Sequence, residues 1–213
     1  MQLKKSREQG DTLIEVLFAI AVFAMVAVGS LSIMNQGTAT AQRALEITLV
    51  RQQIDAQAEA IRFIHQSYVA SYQRDGAAPT GIAKRWVDMT SKSEGKGADG
   101  ASDFSTIGIS GSCPTTLSAQ KPFILNTHTA TISSAPITMT PPPGGSLPPF
   151  AQVIYDDASV IQSAYGIWVE AVPSAIEDGR PGIVDFHIRA CWDAAGSSTP
   201  ATIGTIVRLY EPR

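Results

Sequence analysis

Val16–Met34 reads VLFAIAVFAMVAVGSLSIM, nineteen residues without a charge, and no charged side chain returns until Arg43. A helix rises 1.5 Å per residue, so a run of this length matches the roughly 30 Å hydrocarbon layer of a bilayer better than an ordinary buried helix. The run is preceded by a basic head, with Lys4, Lys5 and Arg7 set against Glu8. Basic flanks stay on the cytoplasmic side, so residues 1–10 read as a cytoplasmic leader and the chain beyond the span as extracytoplasmic. A secretory signal peptide starts in a similar way, but its apolar region is only about 7–15 residues long and ends in a small-residue cleavage site. Here the run is longer than that and continues as a helix.

One charge interrupts the apolar start. Glu15 lies between Ile14 and Val16, where a plain anchor gains nothing from a carboxylate and loses up to about 3 kcal/mol if the group reaches the bilayer centre. The helix macrodipole tolerates an acid near its N-terminus. A carboxylate carried into an apolar environment also asks for a partner.

The stretch Gly10-Asp11-Thr12-Leu13-Ile14-Glu15-Val16 resembles the class III signal of type IV pilins and pseudopilins. That signal is a short basic leader ending in Gly, a cut, and a hydrophobic helix with Glu as its fifth residue. Counted from Asp11, Glu15 is fifth. The resemblance covers about the first 40 residues and implies a membrane-bound prepilin peptidase that cuts between Gly10 and Asp11 and methylates the new terminus at Asp11. It further implies assembly with other copies and related pilins into a filament, served by inner-membrane pilus machinery, with the bilayer holding the precursor. On this reading Glu15 is the assembly residue: its carboxylate meets the terminal amine of a neighbouring subunit, because both groups would otherwise be buried unpaired. Removing one partner of such a pair typically costs about 3–5 kcal/mol. Asp11 departs from the family, where Phe is usual, and its side-chain carboxylate competes with Glu15 for the amine.

Beyond the span, Leu45, Leu49, Ile61, Ile64, Tyr68 and Tyr72 recur at helical steps, while Arg51, Gln52, Gln53, Asp55, Gln57 and Glu59 fall largely between them. The pattern predicts one helix within residues 11–75, its membrane or filament-core half at about 13–36 and its amphipathic half at about 37–72. Gly29-Ser30 through Gly37 reads as a soft region, since Gly is poor in helix interiors.

Residues 76–150 read as an irregular exposed region with a Thr/Pro stretch ending in Pro141-Pro142-Pro143-Gly144-Gly145. Asp99-Gly100 and Asp103 lack the ligand series of a twelve-residue calcium loop, so no metal is expected. Residues 151–213 read as β-rich, with runs at 166–172, 183–192 and 203–210 separated by turn residues. In the middle run Val184, Phe186, Ile188, Ala190 and Trp192 alternate with Asp185, His187, Arg189 and Cys191. The first set is expected to face a core against the long helix, with Cys191 on the other, outward face. The fold class is therefore α+β, a long N-terminal helix packed on a small antiparallel sheet.

The chain has two cysteines, Cys113 and Cys191. In an exported protein a bond between them ties the covering loops to the sheet and stabilises by about 4.5 kcal/mol on the chain-entropy model.

With 16 Lys+Arg against 19 Asp+Glu and no dense basic block, nucleic acid is not an expected partner. The leader takes three of those basic residues and one acidic one, leaving 13 and 18 and hence a net charge of −5 in the remainder. His65, His128 and His187 stand apart, and neither H-E-x-x-H, G-x-S-x-G nor the G-x-x-x-x-G-K-[ST] phosphate loop occurs. The sequence thus reads as a non-enzymatic structural subunit without cofactors. A minor pilin or a pseudopilin of a secretion or DNA-uptake system is the alternative within the resemblance, and a membrane-anchored enzyme the alternative outside it.

Overall fold

The computed structural model describes residues 11–72, 78–91, 113–114, 122–140, 150–173, 182–194 and 196–212. It comprises two compact units, Met1–Ala44 and Leu45–Arg213. The boundary falls inside the first helix, α1 (Asp11–Ser71).

In the first unit the apolar side chains are exposed all around the helix, from Leu13 and Phe18 through Phe23, Met25 and Met34. The segment is long and apolar enough to cross a membrane. Three of its hydroxyls turn inward onto the helix: Ser30 donates to the Val26 carbonyl at 2.8 Å, Thr38 to that of Asn35 at 2.9 Å and Thr40 to that of Gln36 at 2.9 Å. Such back-bonding satisfies a hydroxyl that an apolar surrounding would otherwise leave unpaired. The soft region expected at Gly29–Gly37 is not a break, because α1 runs through it unbroken.

The second unit holds the core. Val50, Ile54, Gln57, Ile61 and Ile64 form one buried seam of α1 at alternating steps of four and three. This corrects the expected face at two ends and in its middle: Leu45 is 60% exposed and Tyr72 39%, whereas Gln57 is fully buried. Gln57 is tolerated there because its amide replaces a strand partner. Its Nε2 donates to the Leu125 carbonyl at 2.7 Å and its Oε1 accepts from the Leu125 N–H at 3.0 Å. Each such bond is worth about 1 kcal/mol net, and losing one side leaves a buried group unsatisfied.

Within 76–150, expected to be irregular, the structure places the helix α2 (Gly81–Thr90) and the short strands β1 (Ile124–Asn126), β2 (Thr131–Ser133) and β3 (Ile137–Thr138). α2 is held by Ala83, Trp86 and Met89, buried at steps of three. Trp86 stacks on Tyr68, with ring centroids 5.7 Å apart, and meets Phe186 at 5.5 Å, so α2 is bound to both α1 and the sheet.

The remaining strands are β4 (Gln152–Tyr155), β5 (Ile161–Tyr165), β6 (Ile167–Pro173), β7 (Ile183–Trp192) and β8 (Ala201–Tyr210). They form an antiparallel sheet β6-β7-β8 and a mixed sheet β3-β5-β4 in which β3 runs parallel to β5; β1 and β2 pair antiparallel. The expected alternation holds on β7, where Val184, Phe186, Ile188, Ala190 and Trp192 are all buried against the α1 seam. The chain passes from β5 into β6 at Gly166, in the left-handed region at φ +61°. A Cβ there would run into the Cys191 carbonyl, so only glycine makes this passage.

The opposite face of β7 is not open at its end. Cys191 and Trp168 are buried and covered by Cys113, Ile137 and Met139, so the outward face expected for Cys191 is roofed by β3 and its flanks. Cys191 is bonded to Cys113, with their Cα atoms 5.7 Å apart.

Candidate functional site

The site is the start of α1. The leader and Gly10 lie outside the described residues. Asp11 is the first residue of α1, and Glu15 lies one turn along the same helix face. Helical Cα–Cβ bonds tilt toward the N-terminus, so the Glu15 side chain leans back toward the end that a cut after Gly10 would create. Glu15 is exposed and among the described residues makes no hydrogen bond or ion pair. Leu13, Ile14, Val16, Leu17 and Phe18 around it are more than half exposed. Geometrically this is a carboxylate among bare apolar side chains, near a helix terminus that carries partial positive charge. It can meet a cation approaching from outside the chain.

Residues 5–31 match the family model of the prokaryotic N-terminal methylation motif. The chain carries a prepilin-type N-terminal signal. The match spans the end of the leader, Gly10, Asp11, Glu15 and most of the uncharged run, and the rest of the chain lies outside it. No curated protein and no solved structure matches the chain. With its prepilin signal the exposed apolar first part of α1 is that of a pilin-like precursor, and the motif points to a structural protein.

Away from the prepilin signal, the other sequence-selected groups are dispersed. His65 sits on α1 and its Nε2 donates to the Tyr210 carbonyl at 2.8 Å. His128 stacks on Tyr155 with ring centroids 4.7 Å apart in the β1–β2 turn. Among the described residues no group of three metal-ligating side chains comes together.

Sequence reading missed three buried polar groups that shape the second unit. Glu46 accepts from Trp192 Nε1 at 3.1 Å, fixing the outer half of α1 to the end of β7. On the roofed face of the sheet, Glu170 accepts from Trp168 Nε1 at 2.8 Å and pairs with Arg189 at 3.3 Å, both side chains almost fully buried. Arg189 was visible in the alternation on β7, but its burial beside Glu170, diagonal to it across β6 and β7, is not revealed by sequence spacing.

His187, beside that pair, has its imidazole pushed below the usual 6.5, first by burial and then by the Arg189 guanidinium, with Asp185 opposing. The folded state therefore prefers neutral His187. Between the depressed value and about 6.5 the unfolded chain binds more protons, so stability falls as pH drops through that window. His187→Gln is expected to lose part of this acid sensitivity. The check is denaturant unfolding of both chains at about pH 7.5 and about pH 5.5, on either side of an ordinary histidine. An unchanged difference between the two pH values would remove His187 as its source.

Proposed function

We propose that the chain is a structural subunit of a type IV pilus. It enters the membrane as a prepilin, is cut after Gly10 by prepilin peptidase, is methylated at Asp11 and polymerises through α1. The observation that carries this reading is Glu15, the one charge in the stretch 12–42 of α1, whose apolar side chains are exposed on every side. In the precursor that surface is covered by lipid, and in the filament by the helices of other subunits. Lipid offers Glu15 no partner, whereas a packed helix core brings a neighbour's terminal amine, so the carboxylate favours assembly over the membrane. Assembly machinery at the inner membrane and related pilins are the partners this route requires. The substantial folded unit from Leu45 onward favours a surface pilin over a small pseudopilin.

The test is Glu15→Val. This variant is more apolar, so a plain anchor would tolerate or prefer it. The proposal expects insertion and cutting to persist while incorporation into filaments drops. Because Asp11 also carries a carboxylate, the substitution is repeated in an Asp11→Phe background. Unchanged filament yield in both backgrounds would remove the role assigned to Glu15.

A further inference from the structure

A cut after Gly10 leaves a start whose charges do not balance. Over residues 11–42 the chain then carries the new terminal amine, the carboxylates of Asp11 and Glu15, and no other charged side chain. On the pilus reading above, on which this inference rests, that stretch is buried among the same stretch of other copies. However amines and carboxylates are shared there, each copy brings one carboxylate more than it brings amines. A start with Phe in place of Asp11 has no such surplus. An ionised carboxylate left unpaired in an apolar core is strongly disfavoured, so the surplus needs a cation.

The next charge along α1 is a cation, Arg43. Its side chain is exposed and, among the described residues, makes no hydrogen bond or ion pair. The acid nearest to it in sequence, Glu46, is turned into the core, where it accepts from Trp192 Nε1. Cations further along the helix are better supplied: Arg62 pairs with Glu59, and Arg51 has Asp55 one turn on along the same face. With Arg43 included, residues 11–43 and the terminal amine hold two positive and two negative charges.

We propose that Arg43 of one subunit pairs with Asp11 of another, while the terminal amine beside that Asp11 meets Glu15 of a different neighbour. α1 runs unbroken through both positions. They are 32 residues apart, about 48 Å at the rise of a helix, so within one chain they never meet and the pair forms only between copies. It requires parallel helices displaced by about that distance along a common axis, the orientation that copies inserted the same way in the membrane already share. The contact joins two different places on the surface, and contacts of that kind propagate into open filaments. A guanidinium suits the task because it can donate to both oxygens of one carboxylate. The two pairings set two steps of the assembly, a short one at Glu15 and a long one at Arg43.

The experiment compares Arg43→Gln in two backgrounds, the unsubstituted chain and Asp11→Asn, in cells producing the full chain. Filament mass in the sheared fraction is measured against the chain left in the membrane. Mass analysis of each variant reports the cut after Gly10 and the Cys113–Cys191 bond, and hence processing and folding. In the unsubstituted background Arg43→Gln is expected to lower the filament fraction about tenfold or more, because it leaves a carboxylate unpaired. Arg43→Lys, which keeps the cation, is expected to restore most of it. With Asp11→Asn the surplus is gone, and the same Arg43→Gln change is expected to cost less than about twofold. Equal losses in both backgrounds would overturn the pairing, since a residue needed only for the shape of α1 behaves that way. An undiminished filament fraction for Arg43→Gln would also overturn it, and would mean that a proton or a different subunit neutralises Asp11. An unsubstituted chain that is cut but absent from filaments would overturn the pilus reading, and the pairing with it.

Discussion

Cells producing the Gly10→Leu variant accumulate an uncut, membrane-inserted chain and display no filaments built from it. The expectation follows from the order of features along the chain. On the proposed route three basic side chains hold the leader in the cytoplasm, the cut falls just ahead of the apolar run, and the methylation motif covers both positions. A bulky side chain at position 10 changes the bond presented to the peptidase while leaving the span intact. Insertion therefore persists and processing does not. Without the cut, no terminal amine exists beside Glu15 and the charged leader remains attached to the helix that must enter the filament core. The effect is all-or-none, larger than that of Glu15→Val, in which the amine is still made. Trimming of the variant by the same ten residues would assign the cut to another protease.

The second large effect concerns the disulfide. Cys113–Cys191 closes a loop whose ends are 78 residues apart in sequence, and on the chain-entropy model its loss costs about 4.5 kcal/mol, an upper-end figure. For a chain of this size that corresponds to a fall in Tm of roughly 10–15 °C. Cys113→Ser isolates the cross-link, because Cys113 is only half-buried. Cys191→Ser is expected to lose more, since it also places a hydroxyl in a site that is 1% exposed beside Trp168. Thermal unfolding of the purified chain decides the matter. A Cys113→Ser midpoint within about 2 °C of the unsubstituted chain would show that the bond does not constrain the unfolded state as supposed.

What was legible in the sequence is what a single residue type decides locally. The uncharged run, the basic head and Glu15 carry their meaning within 30 residues, and two cysteines in an exported chain leave one pairing. The alternation on β7 was also readable, because five apolar residues at period two have no other use. What escaped depended on distant contacts. Gln57 looks polar until Leu125, 68 positions away, supplies its partners. β1, β2 and β3 are too short to show periodicity. α2 carries only three buried residues, and its place is set by rings from α1 and β7. Glu170 and Arg189 are buried as a pair across β6 and β7, which no strand pattern encodes.

The proposed route has two parts, a cut at one bond and incorporation into a filament. Mass spectrometry of sheared surface filaments tests both parts in one sample. The account predicts an abundant chain that begins at Asp11, carries a methyl group on its terminal amine and retains the Cys113–Cys191 link. A filament fraction lacking the chain, or containing it with the leader attached or with a terminus other than Asp11, would contradict it.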